Sequence, residues 1–147
     1  MGGANTSGMR ASAARCASQI AFLMTGSSPA PVIVTGNVAV VLASEERPLP
    51  AVTLSEVLAT SDVPGGVVNI LTGRTAEVAP WLASHMDVNA IDLAGAPVDA
   101  VTDLQVAGAD NLKRVVRPAA TDWATVPGPE RMLSFLETKT VWHPIGV

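Results

Sequence analysis

Residues 38–71 have the sequence VAVVLASEERPLPAVTLSEVLATSDVPGGVVNIL, and this stretch decides the fold. Its first five and last five residues are almost continuous apolar runs rich in valine, which is typical of strands buried on both faces. Between the two runs, Val52, Leu54, Val57 and Leu58 recur at the spacing of a helix that packs on one face. Pro and Gly residues at 62–66 predict a turn before the second strand. The order of strand, helix and strand predicts a β-α-β unit with parallel strands.

The same alternation continues after residue 71. A helix is predicted over about residues 76–85, capped by Thr75 and with Val78, Trp81 and Leu82 facing inward. A third strand is predicted over residues 88–93. A fainter unit follows, with a helix from about residue 97 to 107 and a strand over 113–116. The pattern predicts an α/β fold, with a Rossmann-like parallel sheet of three to four strands and flanking helices.

The two ends of the chain have a different composition. Residues 1–30 are rich in Ala, Ser and Gly, which predicts a poorly ordered or weakly helical leader, with a helix at about residues 9–24. A targeting peptide is the alternative interpretation. An α/β domain is expected over residues 31–117 and a proline-containing loop over 118–129. Residues 130–147 are predicted to form a short helix and a C-terminal tail strand, which would pair at an edge of its own sheet or of another subunit's.

Composition excludes several classes of protein and site. The 147 residues are 48% hydrophobic and 15% charged, enough for one folded domain with a core. The net charge of −4, without a basic stripe, argues against a nucleic-acid partner. The single cysteine, Cys16, and the distant His85 and His143 give no disulfide and no metal site. No stretch reaches the roughly 20 apolar residues that span a bilayer, so we expect a cytoplasmic protein without a membrane partner.

A series of motifs in this domain follows the order found in a known family. They are PVIVTGN at residues 31–37, Ser44 and Glu45 after the next strand, VPGGVVNI at 63–70, and NLKRV at 111–115. With Gly73 and Gly95 at matching places, this series resembles the aldehyde dehydrogenase superfamily. The tail ETKTVW at residues 137–142 is similar to the family's C-terminal segment, which forms a strand in the oligomerisation element. The resemblance covers roughly residues 31–117 and 130–147.

The resemblance implies a nucleotide-binding-type domain over residues 31–117, with NAD or NADP as cofactor and with binding weak or lost. Ser44 and Glu45 occupy the family's Lys-Pro-Ser-Glu turn, where Glu45 would accept hydrogen bonds from ribose hydroxyls. The alternative, a solvated turn carboxylate, stays open. The family's ribose lysine is replaced by Leu42, and the proline after it by Ala43.

Two glycines are the remaining cofactor candidates. Gly95 matches the family's Phe-Thr-Gly-Ser motif, where a helix N-terminus faces the pyrophosphate, although the serine is Ala96 here. Gly73 either permits close approach of the backbone near the adenine or simply ends a strand.

No catalytic residue is predicted. The family's chemistry needs a cysteine nucleophile, a glutamate base and an oxyanion hole formed by backbone and asparagine. Pro118 falls about where the base belongs, and Cys16 precedes the first matched strand, so it is expected to be an inert small hydrophobe. The family's catalytic domain is expected to be absent, which would make the chain a truncated pseudoenzyme.

Three hypotheses about function remain open at this point. The first is a degenerate aldehyde dehydrogenase homologue, inactive alone, that forms a homo-oligomer or joins a full-length aldehyde dehydrogenase partner through the C-terminal strand. The second is a fragment of an active NAD-dependent enzyme. The third is a non-enzymatic α/β interaction module that binds no nucleotide.

Overall fold

The computed structural model describes residues 20–24, 29–117 and 129–137. These residues form five strands and five helices that alternate along the chain. The strands are β1 (Ile20–Met24), β2 (Val38–Leu42), β3 (Val68–Leu71), β4 (Val88–Asp92) and β5 (Arg114–Val116). The helices are α1 (Ala30–Val34), α2 (Leu49–Ala59), α3 (Thr75–Ser84), α4 (Val101–Ala109) and α5 (Glu130–Leu133).

All five described strands belong to one parallel sheet with the order β3-β2-β1-β4-β5. The chain moves outward from β1 through β2 to β3, then returns to the other side of β1 and continues through β4 to β5. The α/β fold with a parallel sheet and flanking helices is therefore confirmed. In open sheets of this kind, ligands bind beyond the carboxyl ends of the strands, at the point where the strand order reverses. Here that point lies between β1 and β4.

The central strand corrects the prediction of a weak helix at about residues 9–24. Ile20–Met24 is a strand that pairs with Val38–Leu42 on one side and with β4 on the other. This strand raises the number in the sheet to five, against the three to four predicted. A run of five apolar residues has little conformational preference of its own, and hydrogen bonds to two neighbouring strands decide its conformation here. The rest of the predicted helix lies outside the described residues.

The other predicted elements lie within a few residues of their observed positions, with three further differences. Helix α4 begins at Val101 rather than near residue 97, and α5 ends at Leu133, whereas a helix over 130–138 is predicted from the sequence. The N-cap residue of α3 is Arg74, which makes no side-chain capping bond, so the predicted Thr75 cap is wrong. The predicted tail strand and most of the loop at 118–129 lie outside the described residues. No helix in the described ranges is long and apolar enough to cross a membrane.

Helix α3 packs on the sheet with Val78 and Leu82 against the core, as predicted, but the inward position predicted for Trp81 is wrong. Trp81 was expected to point inward, but it is 78% exposed, while Ala79 and Ala83 are buried. Two residues along an α-helix correspond to a rotation of about 200°, so Trp81 lies almost opposite Ala79. Small side chains on the inner face let α3 lie close to the sheet.

The core formed by the described residues consists of two clusters of buried side chains. The first contains residues of α3, α4 and the sheet: Leu42, Ala79, Ala83, Val88, Ile91, Leu93 and Leu104. The second contains Val32 of α1, Phe135 after α5, and the strand residues Ala39, Val41 and Ala90. Buried Asn37 donates from Nδ2 to the carbonyl oxygen of Phe135 at 3.1 Å. The residues after α5 are thereby fixed to the turn between α1 and β2.

Candidate functional site at the carboxyl edge of the sheet

The four predicted cofactor residues all follow strands at the carboxyl edge of the sheet. Ser44 and Glu45 follow β2, Gly73 follows β3, and Gly95 follows β4. Because β2 and β3 are neighbours, the first three residues line one cleft of about 360 Å³, together with Pro48, Thr72 and Arg74. Gly95 follows a strand on the other side of β1 and does not line this cleft. The structure therefore brings together three of the four residues.

Glu45 connects the turn after β2 to helix α3. Its exposed carboxylate accepts, through Oε1, a hydrogen bond from the backbone N–H of Thr75, the first residue of α3. The first amides of a helix have no partner within the helix, and a carboxylate there is also favoured by the helix dipole. Glu45 thus caps α3 from a distance of 30 residues in sequence. The second carboxylate oxygen can accept a hydrogen bond from a ligand hydroxyl.

Ser44 and Gly73 shape the two turns beside Glu45. The Oγ of Ser44 accepts a hydrogen bond from the Arg47 N–H at 3.3 Å, a local bond typical of serine in turns. A Cβ atom at Gly73 would lie 3.1 Å from Cγ2 of Val78. Glycine at 73 therefore lets the chain pass from β3 into α3 without pressing on the helix.

A second cleft, of about 260 Å³, lies between α3 and α4. Its walls are mostly apolar, and its rim carries two exposed carboxylates. The lining residues are Thr75, Ala76, Ala79, Pro80, Pro97, Asp99, Ala100, Asp103 and Leu104. Since Thr75 also donates to Glu45, this cleft is adjacent to the Glu45 carboxylate. An apolar slot beside an oriented acceptor suits a flat base with a hydroxylated sugar attached.

The end of β4 contains a pair of charged residues that sequence reasoning missed. Asp92 is fully buried, and its Oδ2 accepts a hydrogen bond from Nη2 of Arg131 at 2.5 Å. Its Oδ1 accepts one from the Ala94 N–H at 2.9 Å, at the start of the turn that contains Gly95. A lone aspartate inside the apolar run at 88–93 is the signal that could have revealed it, because a buried carboxylate requires a partner.

The position of the family's ribose lysine is not available to a ligand. Leu42 is completely buried and belongs to the core under α3 and α4. Near the clefts, the exposed guanidinium of Arg74 pairs with Glu77 at 3.3 Å, while Glu45, Asp99 and Asp103 contribute negative charge. The edge therefore has an acidic character that disfavours phosphate groups.

The described residues contain neither a thiol nor a metal-binding cluster. No group of three or more His, Cys, Asp or Glu side chains that could hold a metal ion occurs among them. Cys16 and Pro118 lie outside the described ranges.

The chain is similar in sequence and in structure to aldehyde dehydrogenases. Residues 19–135 match the family model described as "Aldehyde dehydrogenase family". A mitochondrial aldehyde dehydrogenase from Leishmania tarentolae is 37% identical over 94 residues, 64% of this chain and 19% of that protein. The crystal structure of an aldehyde dehydrogenase from Bartonella henselae superposes with a TM-score of 0.63 at 27% identity, covering 69% of this chain and 23% of the other.

A mutant of aldehyde dehydrogenase C from Pseudomonas syringae, complexed with NAD+ and octanal, gives a TM-score of 0.60 at 26% identity. That superposition covers 68% of this chain and 22% of the other. The chain spans about a fifth of the length of the curated relatives it matches.

Proposed function

The chain belongs to the aldehyde dehydrogenase family, a family of oxidoreductases, and from that premise we propose that it binds NAD or NADP weakly and does not oxidise aldehydes with its own residues. The described residues correspond to a cofactor-binding layer.

The observation that supports cofactor binding is the bond between Glu45 and the first amide of α3. This bond orients the carboxylate beside the apolar cleft between α3 and α4. A nucleoside in that cleft would place its base between the helices and a ribose hydroxyl within reach of Glu45, the role that an acidic residue has in dinucleotide sites. When bound, NAD(P) would supply the hydride acceptor.

Three features of the same edge support weak rather than tight binding. Leu42 has an uncharged side chain that is buried in the core, so no cation reaches the ribose from this position. Asp99 and Asp103 lie on the rim of the cleft, close to where phosphates would approach the N-terminus of α4. Ala96 stands where the family motif has a serine, so a hydroxyl contact is absent. Each feature removes a favourable contact or adds repulsion to a dianionic pyrophosphate.

The lack of activity rests on residue types. The sequence has one cysteine, Cys16, which precedes the region matched by the family model, and a proline at 118 near the expected place of the base. Proline has no side-chain group that can accept a proton. We therefore expect no reduction of NAD+ when the chain is mixed with an aldehyde.

The cofactor proposal is tested by replacing Glu45 with glutamine. The E45Q variant keeps the size of the side chain but loses the charge, so NAD affinity should fall about tenfold, as for the loss of a hydrogen bond to a charged group. The measurement is isothermal titration calorimetry with NAD and with NADP at millimolar concentration.

The matched control is E46Q, which makes the same charge change at the adjacent exposed residue. NAD affinity should stay unchanged in that variant. Equal affinity of E45Q and the wild type, or no binding of either cofactor to the wild type, would contradict the proposal.

Association and location remain proposals of the same kind. A homo-oligomer, or a complex with a full-length aldehyde dehydrogenase, would use the predicted tail strand, whose residues lie outside the described ranges. Size-exclusion chromatography with and without such a partner tests this, and a monomer that does not associate would count against it. A cytoplasmic location remains a prediction from the sequence.

A further inference from the structure

Residues 129–137, which we call the α5 segment, are anchored to the sheet at two places. The Phe135 side chain is 1% exposed and packs in the cluster that contains Val32 and Ala90. The Phe135 carbonyl oxygen accepts the bond from Asn37. Four residues before Phe135, the side chain of Arg131 reaches Asp92 at the carboxyl end of β4. The segment therefore connects one face of the sheet to the edge where the candidate site lies.

The contact between Arg131 and Asp92 is desolvated. The Asp92 side chain is 0% exposed and that of Arg131 is 18% exposed, with 2.5 Å between Nη2 and Oδ2. Removal of one member of such a pair leaves the other charge buried without compensation, which is strongly unfavourable. This pair is thus sensitive to substitution in a way that an exposed ion pair is not.

The pair is also coupled to the turn after β4. Asp92 binds Arg131 through one carboxylate oxygen and the Ala94 N–H through the other. Rotation of the carboxylate away from one partner would therefore disturb the other. Two residues later, the Ala96 N–H donates to the carbonyl oxygen of Leu93 at 3.0 Å. Gly95 lies between these two bonded residues.

We infer that Arg131 is a positioning residue for the nucleotide-facing turn at residues 93–96, acting through Asp92. With Arg131 in place, the Asp92 carboxylate is held where it accepts the Ala94 N–H, and the guanidinium neutralises its negative charge. Phosphates beside Gly95 are then not repelled by Asp92. Without Arg131, the turn loses its fixed acceptor and the phosphates meet a bare carboxylate. The ligand part of this inference rests on the proposed function, whereas the conformational part does not.

The conformational part is tested by amide hydrogen exchange, measured by NMR, at two adjacent residues. The Ala94 amide bonds to Asp92, whereas the Leu93 amide bonds to the Val116 carbonyl oxygen at 3.0 Å. In R131Q we expect at least about tenfold faster exchange at Ala94 and no change at Leu93. In R131K, which keeps the charge, exchange at Ala94 should stay within about threefold of the wild type. Equal acceleration at both amides, or none at Ala94, would overturn the inference.

The ligand part uses ADP-ribose, which carries the pyrophosphate, and adenosine, which does not. The R131Q variant should bind ADP-ribose about tenfold more weakly and adenosine unchanged, since a charge acts on a charged ligand. The double variant D92N/R131Q removes both charges and should recover ADP-ribose affinity to within about threefold of the wild type. Equal weakening for both ligands, or no recovery in the double variant, would overturn this part.

The experiments distinguish a wrong role for Arg131 from a wrong proposal of cofactor binding. If the wild type binds neither adenosine nor ADP-ribose, the proposed function is wrong, while the exchange of Ala94 relative to Leu93 still decides the role of Arg131. If R131Q does not fold, amide exchange and ADP-ribose affinity are measured on the double variant and on R131K instead. A double variant with wild-type exchange at Ala94 would show that the ion pair does not hold the turn and would refute the inference.

Discussion

Gly65 and Gly66 are adjacent in the turn before β3 but differ in backbone conformation. A Cβ atom at either position would have no atom within 4 Å, so steric contact does not distinguish them. Gly66 has φ of +85°, in the region that side chains with a Cβ rarely adopt, whereas Gly65 lies outside that region. Only one of the two glycines is required by the turn.

The pair gives a prediction at the scale of single residues. G66A should reduce the free energy of unfolding by about 1 kcal/mol, because alanine is strained at positive φ. G65A should be neutral or stabilise by up to about 1 kcal/mol, because it reduces the freedom of the unfolded chain. Urea unfolding of both variants measures the difference. An equal effect of the two substitutions would contradict the assigned backbone conformations.

Single residues also show that the sequence does not predict contacts between distant parts of the chain. The family resemblance implied that Glu45 lies in a turn, local patterns predicted that α3 begins near Thr75, and both agree with the structure. Neither the resemblance nor the patterns could predict that Glu45 caps α3, because the partners are 30 residues apart. The same limit applies to Asp92 and Arg131, separated by 39 residues. The residues nearest the site are thus those whose roles depend on tertiary contacts.

At the scale of elements, hydrogen bonds from two side chains connect the turn between α3 and β4 to the residues just before β5. Lys113 donates from Nζ to the His85 carbonyl oxygen at 2.6 Å, and Asn111 donates from Nδ2 to that of Met86 at 2.5 Å. These carbonyl groups directly follow the C-terminus of α3, and that of His85 also accepts a hydrogen bond from the Val88 N–H at 3.2 Å. The motif NLKRV therefore has a structural role in the described residues, independent of the family's catalytic base.

Lys113 gives a prediction about pH. Burial lowers the pKa of its ammonium group below the ordinary value of 10.5. The unfolded chain then binds more protons than the folded chain between the lowered pKa and 10.5, so stability due to Lys113 rises with pH in that window. The stability of the wild type relative to K113M, which keeps an apolar stem of similar size, should therefore increase as the pH approaches 10.5.

Urea unfolding at a series of pH values measures this difference. The sequence has no tyrosine, and its other lysine, Lys139, is present in both proteins, so subtraction cancels the remaining titrations to first order. A difference in stability that stays constant, or that falls as the pH rises, would show that burial does not lower this pKa.

The elements themselves were predictable where an apolar run stands between clear turn signals. The run at residues 38–42 gave β2 with its observed bounds, because five apolar residues between turn signals suffice for a buried strand. The run at 20–24 has the same length but lies beside an Ala- and Ser-rich stretch that favours a helix. Its place between β2 and β4, rather than its own composition, makes it a strand.

At the scale of the whole molecule, the fold depends on contacts between distant parts of the chain. The first described strand is central in the sheet, and the last described segment packs on the same sheet. Parallel strands always need such crossovers, so their pairing joins residues far apart in sequence. Phe135 is the largest fully buried side chain among the described residues and joins α1, β2 and β4 around it.

Phe135 therefore carries the prediction about overall stability. F135A should lower the free energy of unfolding by about 3–5 kcal/mol, because it removes a buried ring and leaves a cavity among α1, β2 and β4. Leu133 is the matched control in the same segment, since it is 61% exposed, and L133A should change stability by less than about 1 kcal/mol. Urea unfolding followed by circular dichroism measures both. For a domain with a stability of roughly 5–15 kcal/mol, the larger loss is a substantial fraction of the total. If F135A and L133A had the same small effect, the α5 segment would not be part of the core, and its contact with Asp92 could not position the turn at Gly95.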